Sequence, residues 1–76
     1  MARPSYSRAW RRGAQVRRAL GKRFEKLRQR GSQAIYRVGS GTATFAYHDR
    51  AELADRQLRQ VAADFGLTLE ELKDLL

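Results

Sequence analysis

The stretch Gln33-Ala-Ile-Tyr-Arg-Val-Gly-Ser-Gly-Thr-Ala-Thr-Phe-Ala-Tyr-His48 decides the fold class. Two runs rich in aromatic and β-branched residues, Gln33–Val38 and Thr42–His48, flank Gly39-Ser40-Gly41, and this is the sequence signal of a β-hairpin. A two-residue turn at Ser40-Gly41 pairs Val38 with Ala43, Tyr36 with Phe45 and Ala34 with Tyr47, and it puts all six on one face. A three-residue turn scatters the aromatics over both faces, so the first register is expected. Two strands alone are marginal in water and need a helix against their apolar face.

The upstream segment supplies one. From Tyr6 to Gln29 the apolar residues fall at helical spacing: Tyr6, Ala9, Trp10, Gly13, Val16, Leu20, Phe24 and Leu27 share a face about 120° wide. Arg8, Arg11, Arg12, Arg18, Lys22, Arg23, Lys26 and Arg30 take the opposite side, with Arg17 and Arg28 flanking the apolar stripe. The spacing predicts one basic helix over 6–30 after a flexible lead-in, 1–5, with Ser5 or Ser7 as cap and Gly31 as the residue just past its end. Gly13 and Gly21 each weaken that helix by about 1 kcal/mol relative to alanine.

Downstream, Asp49-Arg50-Ala51-Glu52 has the form of a capping box, and Ala51, Ala54, Leu58, Val61, Ala62 and Phe65 form a helical stripe that Gly66 ends. Thr68-Leu69-Glu70-Glu71 is a second capping box, with Leu67 and Leu72 as its hydrophobic staple. The expected fold is therefore α+β in a single domain, 1–76: a long basic N-terminal helix, a two-stranded hairpin over 33–48, and two helices over 49–76. Leu58, Val61, Phe65, Leu69 and Leu72 should close over the hairpin and over Leu20, Phe24 and Leu27.

Composition narrows the function. A chain of 76 residues has a thin core. It has no cysteine and a single histidine, which excludes disulfides, thiolate sites and multi-histidine metal sites, and no cofactor is expected. No apolar run reaches the roughly 18 residues of a membrane span, so a cytoplasmic protein is expected. Sixteen bases, thirteen of them arginine, stand against eight acids, for a net charge of +8. The charge is segregated: residues 1–31 hold eleven bases against Glu25 alone, whereas residues 49–76 hold four bases against seven acids. A basic front of this kind calls for a polyanionic partner.

His48 beside Asp49 is the only pair that suggests acid–base chemistry, and it lacks a nucleophile in a fitting setting, a second base and an oxyanion motif. The two residues are expected to end a strand and cap a helix, and no catalytic role is expected. Gly39-Ser40-Gly41 is too short to cradle phosphate. Glu70, Glu71 and Asp74 show no metal-site spacing and suit a solvated helix start.

The arginine face is the signal that remains. A guanidinium fork donates two parallel hydrogen bonds to phosphate. Arg8, Arg11, Arg12, Arg18 and Lys22 would present a row of cations over about 20 Å of helix at 1.5 Å rise per residue. The expected function is non-enzymatic nucleic-acid binding of low sequence specificity, with Arg8, Arg11, Arg12, Arg18, Lys22, Arg23, Lys26 and Arg30 on the phosphates and DNA not distinguished from RNA. Tyr6 and Trp10 either pack in the core or dock a partner; Tyr36, Phe45 and Tyr47 either contact the helices or form a stacking platform.

The alternative is a protein–protein module that offers the same face to an acidic protein, such as a phage- or plasmid-encoded inhibitor or a virion subunit. Over residues 16–65 the helix–hairpin–helix order resembles small phage head–tail joining proteins of the W type, in element order and hairpin position, without motif residues. The N-terminus is similar in composition to a mitochondrial presequence, yet its apolar residues are needed by the fold and are expected to be structural. Because a helix from Tyr6 to Gln29 would outrun a domain of this size, a homodimer or larger complex is expected.

Overall fold

In the computed structural model, which describes residues 10–76, the expected hairpin is two-thirds of a three-stranded antiparallel sheet. The elements run β1 (Arg11–Arg12), α1 (Gly13–Arg23), β2 (Lys26–Arg30), β3 (Gln33–Val38), β4 (Gly41–Phe45), β5 (Glu52–Leu53), α2 (Asp55–Asp64) and α3 (Leu69–Leu75). The sheet order is β2-β3-β4, and β1 and β5 form a separate two-stranded pair. The protein is α+β, with three helices among the described residues and one more substantial strand there than the sequence suggested.

The hairpin turn lies one position earlier than expected. Val38 pairs with Gly41, Tyr36 with Ala43 and Ala34 with Phe45, so the two turn residues are Gly39 and Ser40. The register has slipped by two, and because side chains alternate with period two the same residues still face the core. Gly31-Ser32 makes an equivalent turn between β2 and β3, where Arg30 pairs with Gln33. Gly31 and Gly39 have φ of +60° and +58°, and no non-glycine residue among those described has positive φ. Glycine first and an ordinary residue second is the requirement of a type II′ hairpin turn.

The long basic helix is corrected most. α1 has eleven residues, about 16 Å at 1.5 Å per residue, and the chain leaves it at Phe24, whose φ of −120° and ψ of 149° are extended. A helix over 6–30 would set Arg18, Lys22, Lys26 and Arg30 at successive i,i+4 positions, where each like-charge pair destabilises by about 0.2–0.5 kcal/mol. Turning Lys26–Arg30 into a strand removes two of those pairs and gives the hairpin the third strand it needs. Gly31 is accordingly a turn residue rather than a helix terminus. Tyr6 and Arg8 lie outside the described residues, as do the lead-in and its capping serines. The premise for a homodimer, a helix too long for one domain to cover, lapses with the helix. The helix–hairpin–helix order likened to head–tail joining proteins gives way to helix–three strands–helices.

The first two amide groups of α1 are bound by another segment: Gly13 N–H donates to the Ala51 carbonyl at 2.8 Å and Ala14 N–H to that of Asp49 at 3.0 Å. Asp49-Arg50-Ala51-Glu52 is therefore a docking turn leading into β5, not a helix cap. Arg11 pairs with Leu53 and Arg12 with Glu52. α2 starts later, at Asp55, where Ala54 N–H donates to Gln57 Oε1 at 3.0 Å. It ends as expected at Gly66: Leu67 N–H reaches the Ala62 carbonyl at 2.8 Å and Gly66 N–H that of Ala63 at 3.1 Å, the paired bonds of a Schellman terminus. The capping box of α3 forms in full, with Thr68 N–H on Glu71 Oε1 at 2.8 Å and Glu71 N–H on Thr68 Oγ1 at 3.0 Å.

The core lies between one sheet face and the helices. Val16, Leu20, Ala34, Tyr36, Phe45, Leu53, Leu58, Val61, Phe65 and Leu72 are buried together. The Phe65 ring stands 5.4 Å from that of Phe24 and 5.5 Å from that of Tyr36. Leu27, expected in this core, is 39% exposed because it sits at a β-bulge on the edge strand. Among the described residues no helix is long and apolar enough to cross a membrane.

Candidate nucleic-acid interface

The cations expected on one helix face are spread by the fold over a strand, a helix and a second strand. Arg18 and Lys22 remain neighbours on the exposed side of α1. Lys26 joins them from β2, across a groove that Arg17, Phe24, Tyr36 and Asp49 also line. Arg11 joins the same two cations on their other side, where Lys22 Nζ donates to the Leu75 carbonyl at 3.2 Å. Arg12 is exposed on β1 opposite Glu52, and the Arg23 guanidinium lies 5.9 Å from the centre of the Phe24 ring. Arg30 is separated from the rest, because it points to the outer face of the sheet.

Neutralisation is uneven across this surface. Arg17 bonds the Asp49 carboxylate, and that bond raises the arginine pKa and holds the Asp49 carboxyl below the usual aspartate value. Arg37 Nε donates to Glu25 Oε1 at 3.2 Å, and the Arg37 amide donates to the Glu25 carbonyl at 2.9 Å. Lys73 bridges α3 to Asp55 at the start of α2, 3.2 Å from one carboxylate oxygen. Lys26 Nζ donates to Gln29 Oε1 at 2.6 Å, a neutral acceptor that leaves its charge in place.

The aromatic candidates divide. Tyr36 and Phe45 are buried against the helices, so they are contact residues rather than a stacking platform. Tyr47 is half-buried with its ring 5.6 Å from that of Phe45. Trp10 is 42% exposed and does not serve the core.

No family model matches the chain, and no curated protein or solved structure matches it.

Two features escaped the sequence. Ser32, placed by the Gly31-Ser32 turn, shares a hydrogen bond of 2.7 Å with His48 Nδ1. Because the Asp49 carboxylate is taken by Arg17, these three residues do not assemble into a Ser–His–Asp relay. Among the described residues no group of three histidine, cysteine or acidic side chains is placed to hold a metal ion. The second feature is the outer sheet face, where Arg28 and Arg37 join Arg30. The alternation of Lys26–Arg30 before Gly31-Ser32 was its available signal.

Proposed function

We propose that the protein binds nucleic acid without catalysing a reaction on it, and that its α1–β2 surface grips the phosphates. The observation that carries this is an excess of unneutralised charge. Arg12, Arg18, Lys22, Arg23, Lys26, Arg28 and Arg30 are all exposed, and among the described residues none bonds a carboxylate. Like charges held this close cost stability unless a polyanion meets them, and a phosphate backbone supplies negative charge at matching density. A cytoplasmic location, where such partners are found, is part of this reading.

Fluorescence anisotropy against random-sequence nucleic acid tests the proposal. With six phosphate contacts, affinity should fall about 10³-fold between 50 and 200 mM salt. Replacing Arg18 and Lys22 together with glutamine should lower the logarithmic salt slope by about two, one per lost contact. A salt-insensitive complex, or an unchanged slope in that variant, overturns it.

One observation favours a second reading. Trp10 is exposed beside Arg11 and Arg12, which is the pattern of an aromatic anchor with a basic rim, for an acidic protein or a second copy of the chain. A complex that survives nuclease treatment and is lost in Trp10→Ala would support it. Sedimentation equilibrium would separate the two occupants.

A further inference from the structure

We infer that the outer face of the three-stranded sheet docks in the major groove of duplex DNA and reads base edges there. This rests on the proposed nucleic-acid binding and gives it a substrate class and a second surface. Directly opposed residues of neighbouring strands point to the same side of a sheet. The register therefore sets Arg30 beside Gln33, Arg28 beside Ile35 and Thr44, and Arg37 beside Thr42, in three successive rows on one face. The opposite face carries Ala34, Tyr36, Ala43 and Phe45, all buried under the helices. On the outer face the arginines, Gln33 and both threonines are exposed, and Arg28, Arg30, Gln33 and Ile35 line one shallow depression.

Size and chemistry agree on the occupant. At about 3.4 Å per residue and 4.8 Å between strands, the three rows cover roughly 13 by 10 Å. The B-DNA major groove is about 12 Å wide, and about four base pairs at 3.4 Å fall within that length. The face carries three guanidinium groups and one carboxylate, that of Glu25 in the row of Arg37, for a net charge of +2. Glu25 reaches Arg37 from its end and takes only Nε, which fixes the fork and leaves the two terminal nitrogens for an outside acceptor. Phosphate binding needs cations alone, but here uncharged side chains stand between them. An arginine fork matches guanine O6 and N7, a glutamine amide matches adenine N6 and N7, and threonine and isoleucine methyl groups suit the thymine methyl. The deep, narrow major groove of an A-form RNA duplex does not admit such a face.

The test is selection from a library of randomised DNA duplexes, followed by anisotropy titrations of the selected and a scrambled duplex. Wild-type protein should enrich a short motif. Arg30→Lys keeps the charge and loses the fork, so it should weaken the selected duplex about 5- to 100-fold and leave the scrambled duplex within about twofold. Gln33→Ala, which changes no charge, should relax preference at one base pair. Circular dichroism should show both variants folded, as their side chains are exposed. If the wild type binds duplexes with a steep salt dependence but enriches nothing, or if Arg30→Lys weakens both duplexes equally, this inference fails and phosphate binding stands. Equal affinity for an RNA duplex also overturns it. Absence of salt-dependent binding to any nucleic acid removes the function itself.

Discussion

Gly13 stands where α1 touches the 48–51 segment. A β-carbon built there would overlap the His48 carbonyl oxygen and lie 2.9 Å from its carbon, both backbone atoms with no side-chain freedom to yield. Gly21, two turns later in the same helix, has nothing within 4 Å of the equivalent position. Helix propensity alone would make either alanine stabilising by up to about 1 kcal/mol. The contact reverses the sign at one of them. Gly13→Ala should cost about 2–4 kcal/mol by forcing the segments apart and straining the bonds to Ala51 and Asp49, whereas Gly21→Ala should gain about 0.5 kcal/mol. Thermal melts of the two variants check this, and equal effects would mean that the docking turn is not held against α1. Tyr36 offers a second residue-scale test. Burial raises its pKa above the ordinary value of 10.0, so the folded protein keeps the phenol neutral where the unfolded chain ionises it. Its contribution is fully present below pH 10 and is lost as pH rises towards the folded pKa. Melting temperatures from pH 8 to 11 should therefore fall more steeply in the wild type than in Tyr36→Phe. That variant should lose about 0.5–1.5 kcal/mol at neutral pH with the bond to the Arg17 carbonyl. Parallel curves would show that another group governs alkaline unfolding.

At the scale of elements, what was legible in the sequence is what local chemistry determines. The turn of the 33–48 hairpin, the Gly66 terminus and the Thr68–Glu71 box each depend on residues within six positions of one another, and each forms. The slipped hairpin register cost nothing in facing, because the slip was even. The strand β2 was hidden by a coincidence of periods: Leu20, Phe24 and Leu27 continue a helical stripe, while Lys26–Arg30 also alternates as an edge strand does. Phe24 does reach the core, but from an extended backbone beside Phe65. The repulsion between cations four apart argued against the long helix and was readable from the same residues. β1 and β5 were not legible, since each has two residues and exists only because Gly13 lets α1 approach a segment about forty residues away. The candidate site followed the fold. Arg18, Lys22 and Lys26 stay together because they flank the helix-to-strand bend, whereas Arg30 crosses to the face it shares with Arg28 and Arg37.

For the whole molecule, charge asymmetry makes salt act in two opposite directions. The free protein carries +8, with its bases crowded into α1 and β2, while the ion pairs Arg17–Asp49, Arg37–Glu25 and Lys73–Asp55, among those of the described residues, involve carboxylates that solvent reaches at least in part. Exposed pairs contribute about 0–1 kcal/mol each and are themselves screened, so repulsion within the basic surface dominates. The screening length contracts from about 30 Å at 0.01 M to about 10 Å at 0.1 M, which uncouples cations on neighbouring elements. Salt should therefore stabilise the free protein by about 1 kcal/mol, or roughly 4–8 °C in melting temperature for a chain of this size. The complex should behave oppositely. Duplex DNA at 100 times its dissociation constant stabilises the folded state by about 2.7 kcal/mol, and that increment disappears as salt displaces the ligand. Melting curves from 10 to 200 mM salt, with and without duplex, should start apart and converge, the free protein rising and the complex falling. If the free protein instead melts lower as salt is added, its own ion pairs outweigh the repulsion, and the excess charge would no longer be a cost that a polyanion relieves.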